Sequence, residues 1–272
     1  MAELPVVGAA LTVAEFIALR DLMEEKDRDL ELQDFHRPEL MLNGLAEQAT
    51  RAAVALRGYK GRIGIHGPFW DFTIANWDPE VRALVQRRMN LALDACGIVE
   101  ATHMVVHSPF SDWDHNNADN YPGARESIVS RCHETMRPIV ERAEKMGVDL
   151  VIENVEDIDP VVRVDLAASF MSAAVGVSVD TGHAHYVHGS RGAPPADYFI
   201  KRAGEKLRHV HLQDADGHAD RHWAIGDGTI QWTSVFAALL AVPGRPRLIL
   251  ELRDKTGLRK SLNYLARNGL AQ

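Results

Sequence analysis

The chain has 272 residues, of which 46% are hydrophobic and 25% are charged. This composition is typical of a globular protein with a sizeable core, and it excludes disordered, collagen-like and coiled-coil proteins. The formal net charge of -8 disfavours a general binder of polyanions. Two cysteines, Cys96 and Cys132, form no CxxC pattern, so we expect reduced thiols and a cytoplasmic protein.

The amino-terminal segment has no basic region, and Glu3 and Glu15 interrupt its apolar residues. The sequence therefore predicts no signal peptide. The longest uncharged segments, such as 166–179, are shorter than the roughly 18–20 residues of a membrane-spanning helix. We expect no membrane partner, and the sequence gives no indication of the oligomeric state.

The chain alternates between short segments rich in β-branched residues and longer amphipathic segments. The first amphipathic segment begins at Thr12, which forms a capping box with Glu15, as is typical of a helix start. The predicted strands are, in chain order, Val6–Ala10, Leu30–Asp34, Arg62–His66, His103–His107, Asp149–Glu153, Val177–Asp180, Leu207–Gln213 and Leu248–Leu252.

Two of the longer helical segments have recognisable ends. Asp78–Pro79 is typical of an N-cap and first helical position, and we expect Gly97 to end that helix. An apolar stripe over residues 128–143 predicts a second long helix that ends at Gly147. Pro138 lies inside this stripe, so we expect the helix to be kinked or broken there.

Eight strand–helix units in about 250 residues fit a closed parallel barrel. We predict an α/β protein with a (β/α)8 TIM-barrel fold, formed by a single domain over residues 1–272. The alternative is a doubly wound open sheet. The chain has no glycine-rich dinucleotide fingerprint after its first strand and no phosphate-binding P-loop, so the barrel is preferred.

Titratable side chains stand where the predicted strands end. In a parallel barrel the carboxyl ends of all strands open onto one face, and active sites are built there. We therefore expect nine such side chains, contributed by six strands, to converge at the barrel mouth. They are His66, His107, Glu153, Asp180, His183, His211, Asp220, His222 and Glu251.

Four carboxylates in one barrel mouth repel each other strongly unless cations or protons balance their charge. Metal binding is therefore the preferred interpretation. Imidazole and carboxylate ligands without a thiolate suit Zn, Mn, Fe, Co or Mg, and the count of ligands allows one to three ions. A single divalent ion leaves carboxylates available as bases, whereas three ions give a positive site that favours an anionic phosphate.

Single residues also have interpretations without a ligand role, because one strand-end histidine is more often simply hydrogen-bonded. His103 and His209 are expected to be packed interior histidines. Three interpretations of Phe69 and Trp70 are open: they cover the edge of the core, line a sugar pocket, or insert into a DNA duplex. His185 either orients ligands or is an ordinary loop residue. The histidines expected at the surface are His36, His115, His133 and His218.

The segments that carry the nine residues are IHGPF, VVHSP, VIEN, SVDTGH, VHLQD, DRHWAIGDGTI and LILEL. On these motifs the chain resembles the xylose-isomerase-like TIM-barrel superfamily. That superfamily includes the AP endonuclease family 2 (endonuclease IV) and many sugar or sugar-phosphate isomerases and epimerases. The resemblance extends from the first predicted strand to the eighth.

The resemblance to endonuclease IV implies three zinc ions held by three groups of ligands. In the isomerases and epimerases of the superfamily, a single ion is held by the second of these groups. By similarity, the groups here are an inner group of His66, His107 and Glu153; a central group of Glu153, Asp180, His211 and Glu251; and an outer group of His183, Asp220 and His222.

The chain departs from endonuclease IV in parts that handle DNA. Gly182 stands where that enzyme typically has a cysteine, and the segment 211–220 is shorter than its counterpart. We therefore prefer a divalent-metal isomerase or epimerase over an enzyme with a nucleic-acid partner. Its substrate would be a sugar, a sugar phosphate or a related polyol, converted through an enediolate.

Three alternative functions stay open. The first is a multi-zinc phosphoester hydrolase of the endonuclease IV type. A metal-dependent lyase or dehydratase comes next, and a non-catalytic binding module last.

The resemblance to the isomerases also implies roles for individual residues. In the preferred interpretation the catalytic residues are Glu153, Glu251 and His183, and the candidate substrate-binding residues are His66, Phe69, Trp70, His107 and His185.

Overall fold

The structure, a computed structural model, describes residues 4–272. Eight parallel strands follow each other around a closed barrel in chain order, and the last pairs with the first. The predicted single-domain TIM barrel is confirmed, and the doubly wound open sheet is excluded. The strands are β1 (Gly8–Leu11), β2 (Leu30–Leu32), β3 (Ile63–His66), β4 (His103–His107), β5 (Asp149–Glu153), β6 (Val175–Asp180), β7 (Leu207–Leu212) and β8 (Arg247–Leu250).

Helices surround the barrel and connect successive strands. The predicted capping box at Thr12 and Glu15 and the predicted N-cap at Asp78 are both present. The helices are α1 (Val13–Ala18), α2 (Arg20–Glu24), α3 (Pro38–Leu42), α4 (Leu45–Ala55), α5 (Pro79–Val99), α6 (Asp112–Asn117), α7 (Ala124–Met146), α8 (Pro160–Ser169), α9 (Thr181–Arg191), α10 (Ala196–Ala203), α11 (Trp232–Ala241) and α12 (Gly257–Arg267).

One predicted helix end is wrong and one is confirmed. The helix α5 continues through Gly97 to Val99, and Glu100 caps it in a left-handed conformation with φ 56°. The helix α7 has its predicted C-cap at Gly147 and is not broken at Pro138. A proline removes the N–H that would bond the carbonyl four residues earlier. Here that carbonyl, of Glu134, accepts a 2.9 Å hydrogen bond from the Gln86 side chain on α5 instead.

The strand register brings the predicted site residues to one level of the barrel. His107 pairs with Glu153 between β4 and β5, and Asp180 pairs with His211 between β6 and β7. Alternate residues of a strand face the same side, so these inward side chains point into the barrel near its carboxyl end.

No helix within residues 4–272 combines the length and the apolar character that crossing a membrane requires.

Candidate metal centre

The structure brings the nine predicted residues together at the carboxyl end of the barrel. Within each of the three groups, one nitrogen or oxygen atom from every member lies within 4.8 Å of the others. Five members lie in the last two residues of a strand, Glu251 directly follows β8, and His183 lies in the first turn of α9. Asp220 and His222 come from the long loop after β7.

The central group surrounds one imidazole nitrogen with three carboxylates. Nδ1 of His211 lies 2.5 Å from Oε1 of Glu153 and 3.5 Å from Oε2 of Glu251. Oδ2 of Asp180 is 3.9 Å from the same nitrogen. Glu153, Asp180 and His211 are almost completely buried. Three acidic groups around one nitrogen, out of water, form a strong site for positive charge.

The inner group leaves a buried carboxylate oxygen without a hydrogen bond. Oε2 of Glu153 has no hydrogen-bond partner among the described residues. It faces Nε2 of His107 at 3.5 Å and Nε2 of His66 at 3.7 Å. Nδ1 of His66 donates to the carbonyl of Gly67 at 2.8 Å, and Nε2 faces Glu153. A carboxylate oxygen and two imidazole nitrogens facing each other are the donor atoms of a metal site.

The outer group repeats this arrangement in the loop after β7. Nδ1 of His183 donates to the carbonyl of Asn154 at 2.9 Å, and Nδ1 of His222 donates to the carbonyl of Glu251 at 2.9 Å. Both rings therefore turn Nε2 toward Asp220, at 3.6 Å and 3.0 Å. Backbone carbonyls that orient histidines in this way are typical of metal sites. The Asp220 side chain is 41% exposed, so this group opens to solvent.

Gln213 connects the outer group to the central group, and the sequence analysis did not identify it. Its buried amide nitrogen donates to Asp220 at 2.9 Å and to Asp180 at 3.2 Å. Its carbonyl oxygen accepts the backbone N–H of His222 at 2.7 Å. A Cβ at Gly182 would lie 2.2 Å from this side chain, so glycine makes the room it needs. Strand alternation from His211 was the signal that could have found it.

The carboxylates draw positive charge onto the neighbouring imidazoles. Burial lowers the pKa of His211 and His183, but the adjacent acidic groups outweigh it and hold both pKa values well above the ordinary value. Burial also lowers the pKa of His222, but the hydrogen bond to Asp220 outweighs this effect and raises the pKa to about 9. Burial, together with Glu153, raises the pKa of Asp180 to about 6.

The raised pKa values of these imidazoles indicate a site that favours positive charge. A divalent ion bound there would take the place of protons on the imidazole nitrogens, because metal binding releases protons from its ligands. The donor set of imidazoles and carboxylates, together with the unpartnered Glu153 oxygen, fits Zn, Mn, Co, Fe or Mg. The three predicted groups thus offer places for as many as three ions.

An aromatic wall stands beside the inner group. Phe69 stacks on His107 with ring centroids 4.3 Å apart, and the half-exposed Trp70 donates from its indole nitrogen to His36 at 2.9 Å. His36 was predicted to lie at the surface, and the structure makes it half-buried. His36 ends a short 3-10 helix that follows β2, and the centroid of its ring lies 6.0 Å from that of His66.

The other histidines divide between the surface and the interior. His115 and His218 are exposed, as predicted, whereas His133 is half-buried and bonds Ser169. His185 is not brought into any of the three groups, and its Nε2 lies 2.7 Å from the Thr229 hydroxyl. His103 and His209 are buried, as expected of packed interior histidines.

Glu31 is the most important residue that the sequence analysis missed. It lies in β2, is completely buried, and contacts His103, His209 and His211. It is a single charged residue in a three-residue strand. Its inward orientation would follow from strand alternation only once the position of β2 in the barrel is known.

Comparison with curated proteins finds relatives that share part of the sequence. An uncharacterized protein of Methanocaldococcus jannaschii is 27% identical over 191 residues, which cover 66% of this chain and 61% of that protein. Fructoselysine 3-epimerase of Escherichia coli O157:H7 is 29% identical over 106 residues, or 37% of each chain. The chain therefore matches less than two thirds of either relative's length.

A solved structure, described as a D-tagatose 3-epimerase-like protein, shares the fold. It superposes with a TM-score of 0.73 at 20% identity, covering 96% of both chains. A family model described as xylose isomerase-like TIM barrel matches residues 29–268 of this chain. Because that match includes seven of the eight strands and all three groups of candidate ligands, the chain belongs to the xylose isomerase-like TIM-barrel family.

Proposed function

We propose that the protein is a divalent-metal-dependent isomerase or epimerase that acts on a sugar, a sugar phosphate or a related polyol. The observation that carries this proposal is the pair of glutamates in the central group. Glu153 and Glu251 approach the same nitrogen of His211, at 2.5 Å and 3.5 Å, from different strands. An isomerase or epimerase must take a proton from its substrate and later return one, and two neighbouring carboxylates can do this.

In this proposal the metal is held by the central group. A divalent ion bound there would supply the Lewis acidity that polarises a substrate carbonyl and stabilises the charge of an enediolate. Glu153 and Glu251 remove a proton from the carbon beside the carbonyl and return one. Return to the other face of the same carbon gives an epimer. Return to the former carbonyl carbon, with transfer of a proton between the two neighbouring oxygens, gives an isomer. His183 contacts a substrate hydroxyl, and the aromatic wall of Phe69 and Trp70 excludes water on one side.

The similarity to fructoselysine 3-epimerase supports this choice of reaction class. The fold shared with a D-tagatose 3-epimerase-like protein is consistent with it. A cytoplasmic location stays a prediction from the cysteine usage.

The proposal is tested by hydrogen exchange, which detects isomerases and epimerases without knowledge of the product. The protein is loaded with Mn²⁺, Co²⁺ or Zn²⁺ and incubated in D₂O with ketoses, aldoses and their phosphates. We expect deuterium to enter the carbon next to the carbonyl, as detected by NMR. Metal-loaded protein that exchanges none of these hydrogens, yet hydrolyses a phosphoester, would contradict the proposal.

The second candidate function is a multi-zinc phosphoester hydrolase, and the outer group is the observation that favours it. A third set of ligands, with Asp220 open to solvent, allows an additional ion that a one-metal isomerase does not need. The alternative role of Asp220 is to orient His222 as a substrate-binding pair, since their side chains are 3.0 Å apart.

Replacing Asp220 by Asn and His222 by Ala together distinguishes these roles. If the outer group holds an ion, we expect the zinc content per chain to fall by about one ion, because three protein ligands are needed to hold it. The central ion should remain, since none of its ligands is changed. Elemental analysis of the purified proteins measures both. Unchanged zinc content with weakened substrate binding would assign the pair to substrate recognition.

We expect the zinc-loaded protein to show weak, salt-sensitive or absent binding to duplex DNA with an abasic site, and not to incise it. The net charge of -8 opposes binding to the phosphate backbone. A gel-shift and nicking assay measures this, with heat-denatured protein as the control. Efficient incision by the pure protein that is lost in Glu153→Gln would favour the hydrolase over the isomerase.

A further inference from the structure

A layer of polar side chains lies inside the barrel, directly beneath the central group. TIM-barrel interiors are usually filled by branched apolar side chains. Here Glu31, His103, Ser178 and His209, which we call the buried layer, come from four different strands and are at most 2% exposed. A buried polar layer of this size is unfavourable unless its hydrogen bonds are satisfied, so its presence needs an explanation.

The carboxylate of Glu31 organises this layer. Its Oε1 accepts hydrogen bonds of 2.9 Å from Gln33 and of 2.9 Å from Nε2 of His211. Its Oε2 lies 3.1 Å from Nε2 of His209 and 3.3 Å from Nε2 of His103. No lysine or arginine of residues 4–272 lies within ion-pair distance of it. Imidazole and amide nitrogens therefore surround the carboxylate, and no lysine or arginine balances its charge.

The surrounding residues are shaped to hold this arrangement. A Cβ on Gly64 would lie 1.8 Å from the ring of His103, so only glycine leaves space for that ring. Nδ1 of His209 lies 2.8 Å from the hydroxyl of Ser178, which fixes the second ring. Histidines of β4 and β7 thus contact Glu31, and residues of β3 and β6 position these histidines.

The bond between Glu31 and His211 decides which nitrogen of His211 faces the barrel mouth. An ionised carboxylate only accepts hydrogen bonds, so Nε2 of His211 carries the proton that it donates to Glu31. Nδ1 is then the nitrogen that faces Glu153 and the other carboxylates of the central group. A histidine that binds a metal typically donates its other N–H to a carboxylate in this way.

We propose that Glu31 is a positioning residue for the metal centre: through its hydrogen bond to Nε2 of His211 it fixes the ring and presents Nδ1 to the ion. The inference rests on the proposed metal site of the central group. The carboxylate also makes the imidazole a stronger electron donor. The rest of the buried layer holds Glu31 in this orientation, in a place where water cannot reach it.

The test compares Glu31→Gln with Ser178→Ala. The glutamine keeps the size of the side chain and removes its charge, whereas the alanine removes a hydrogen bond of the same layer without touching Glu31 or His211. Affinity is measured by titrating the metal-free proteins with Co²⁺ or Zn²⁺ against a chromophoric chelator. We expect the central ion to bind about 10–100-fold more weakly in Glu31→Gln and within about twofold of the parent in Ser178→Ala.

A purely structural role predicts a different result. In that case Glu31→Gln lowers the melting temperature of the metal-free protein but leaves the Co²⁺ affinity and its visible spectrum unchanged, which would overturn the inference. Equal loss of affinity in Ser178→Ala would also overturn it. If the parent protein binds no divalent ion, the proposed function fails together with the inference, and this outcome is seen before any variant is compared.

A measurement on the unmodified protein keeps the inference testable if the glutamine variant does not fold. Nitrogen-15 NMR of the zinc-loaded protein reports the protonation of each imidazole nitrogen. We expect His211 to carry its proton on Nε2, with Nδ1 shifted by the metal. A proton on Nδ1, with Nε2 bound to the ion, would contradict the role of Glu31.

Discussion

Replacing Glu251 by Gln is expected to abolish binding of the central ion and to lower the rate of substrate hydrogen exchange by about 10²–10⁴-fold. The glutamine has nearly the size of glutamate but neither accepts a proton nor balances the charge of a cation. Glu251 is one of three carboxylates around Nδ1 of His211, so its loss weakens both the ligand set and the acid–base pair. Elemental analysis and the exchange assay in D₂O measure the two effects separately.

The matched control is Glu205→Gln. Glu205 is exposed and lies in a short turn just before β7, at the opposite end of the barrel. We expect this variant to keep the metal content and the rate of the parent. A Glu251→Gln protein that binds metal and exchanges substrate hydrogen like the parent would show that the central group is misassigned.

Replacing Arg163 by Met is expected to lower the free energy of unfolding by about 3–5 kcal/mol, because it leaves a buried charge without its partner. Arg163 is completely buried, and its Nε lies 3.6 Å from the equally buried Asp157. Its Nη1 donates to the carbonyl of Ile152 and to the side chain of Asn154, each at 3.2 Å. Urea denaturation of the metal-free protein measures the change.

Two further variants separate the lost ion pair from a general effect of removing an arginine. Arg87 is exposed on α5, and Arg87→Met is expected to change the free energy of unfolding by no more than about 0.5 kcal/mol. Adding Asp157→Asn to Arg163→Met removes the unpaired charge and should restore part of the stability. A loss of less than about 1 kcal/mol in Arg163→Met would mean that Asp157 is compensated in another way.

The barrel could be predicted from the sequence because its strands are local signals. Apolar segments such as His103–His107 and Asp149–Glu153 have the predicted bounds, and each of the eight strands agrees within two residues at either end. The convergence of the nine residues followed from parallel topology, which places every strand end on one face. Neither step needed information about distant contacts.

What the sequence could not supply depends on residues far apart in the chain. Pro138 does not break its helix because the carbonyl that it leaves free, that of Glu134, accepts a hydrogen bond from Gln86, which lies 48 positions before Glu134 in another helix. Glu31 was missed because its partners His103, His209 and His211 come from strands across the barrel. Contacts of this kind form only when distant parts of the chain fold together, so the local periodicity of the sequence does not indicate them.

The two oxygens of Glu153 face different partners: Oε1 faces His211 in the central group, and Oε2 faces the imidazoles of the inner group. One carboxylate therefore belongs to two neighbouring sites at once. Ions in these sites would share its single negative charge, so filling one site changes the affinity of the other, and the two occupancies are thermodynamically linked. A carboxylate that binds both ions would also limit the distance between them. Glu153 on β5 would therefore determine the geometry of any reaction that takes place between the two ions.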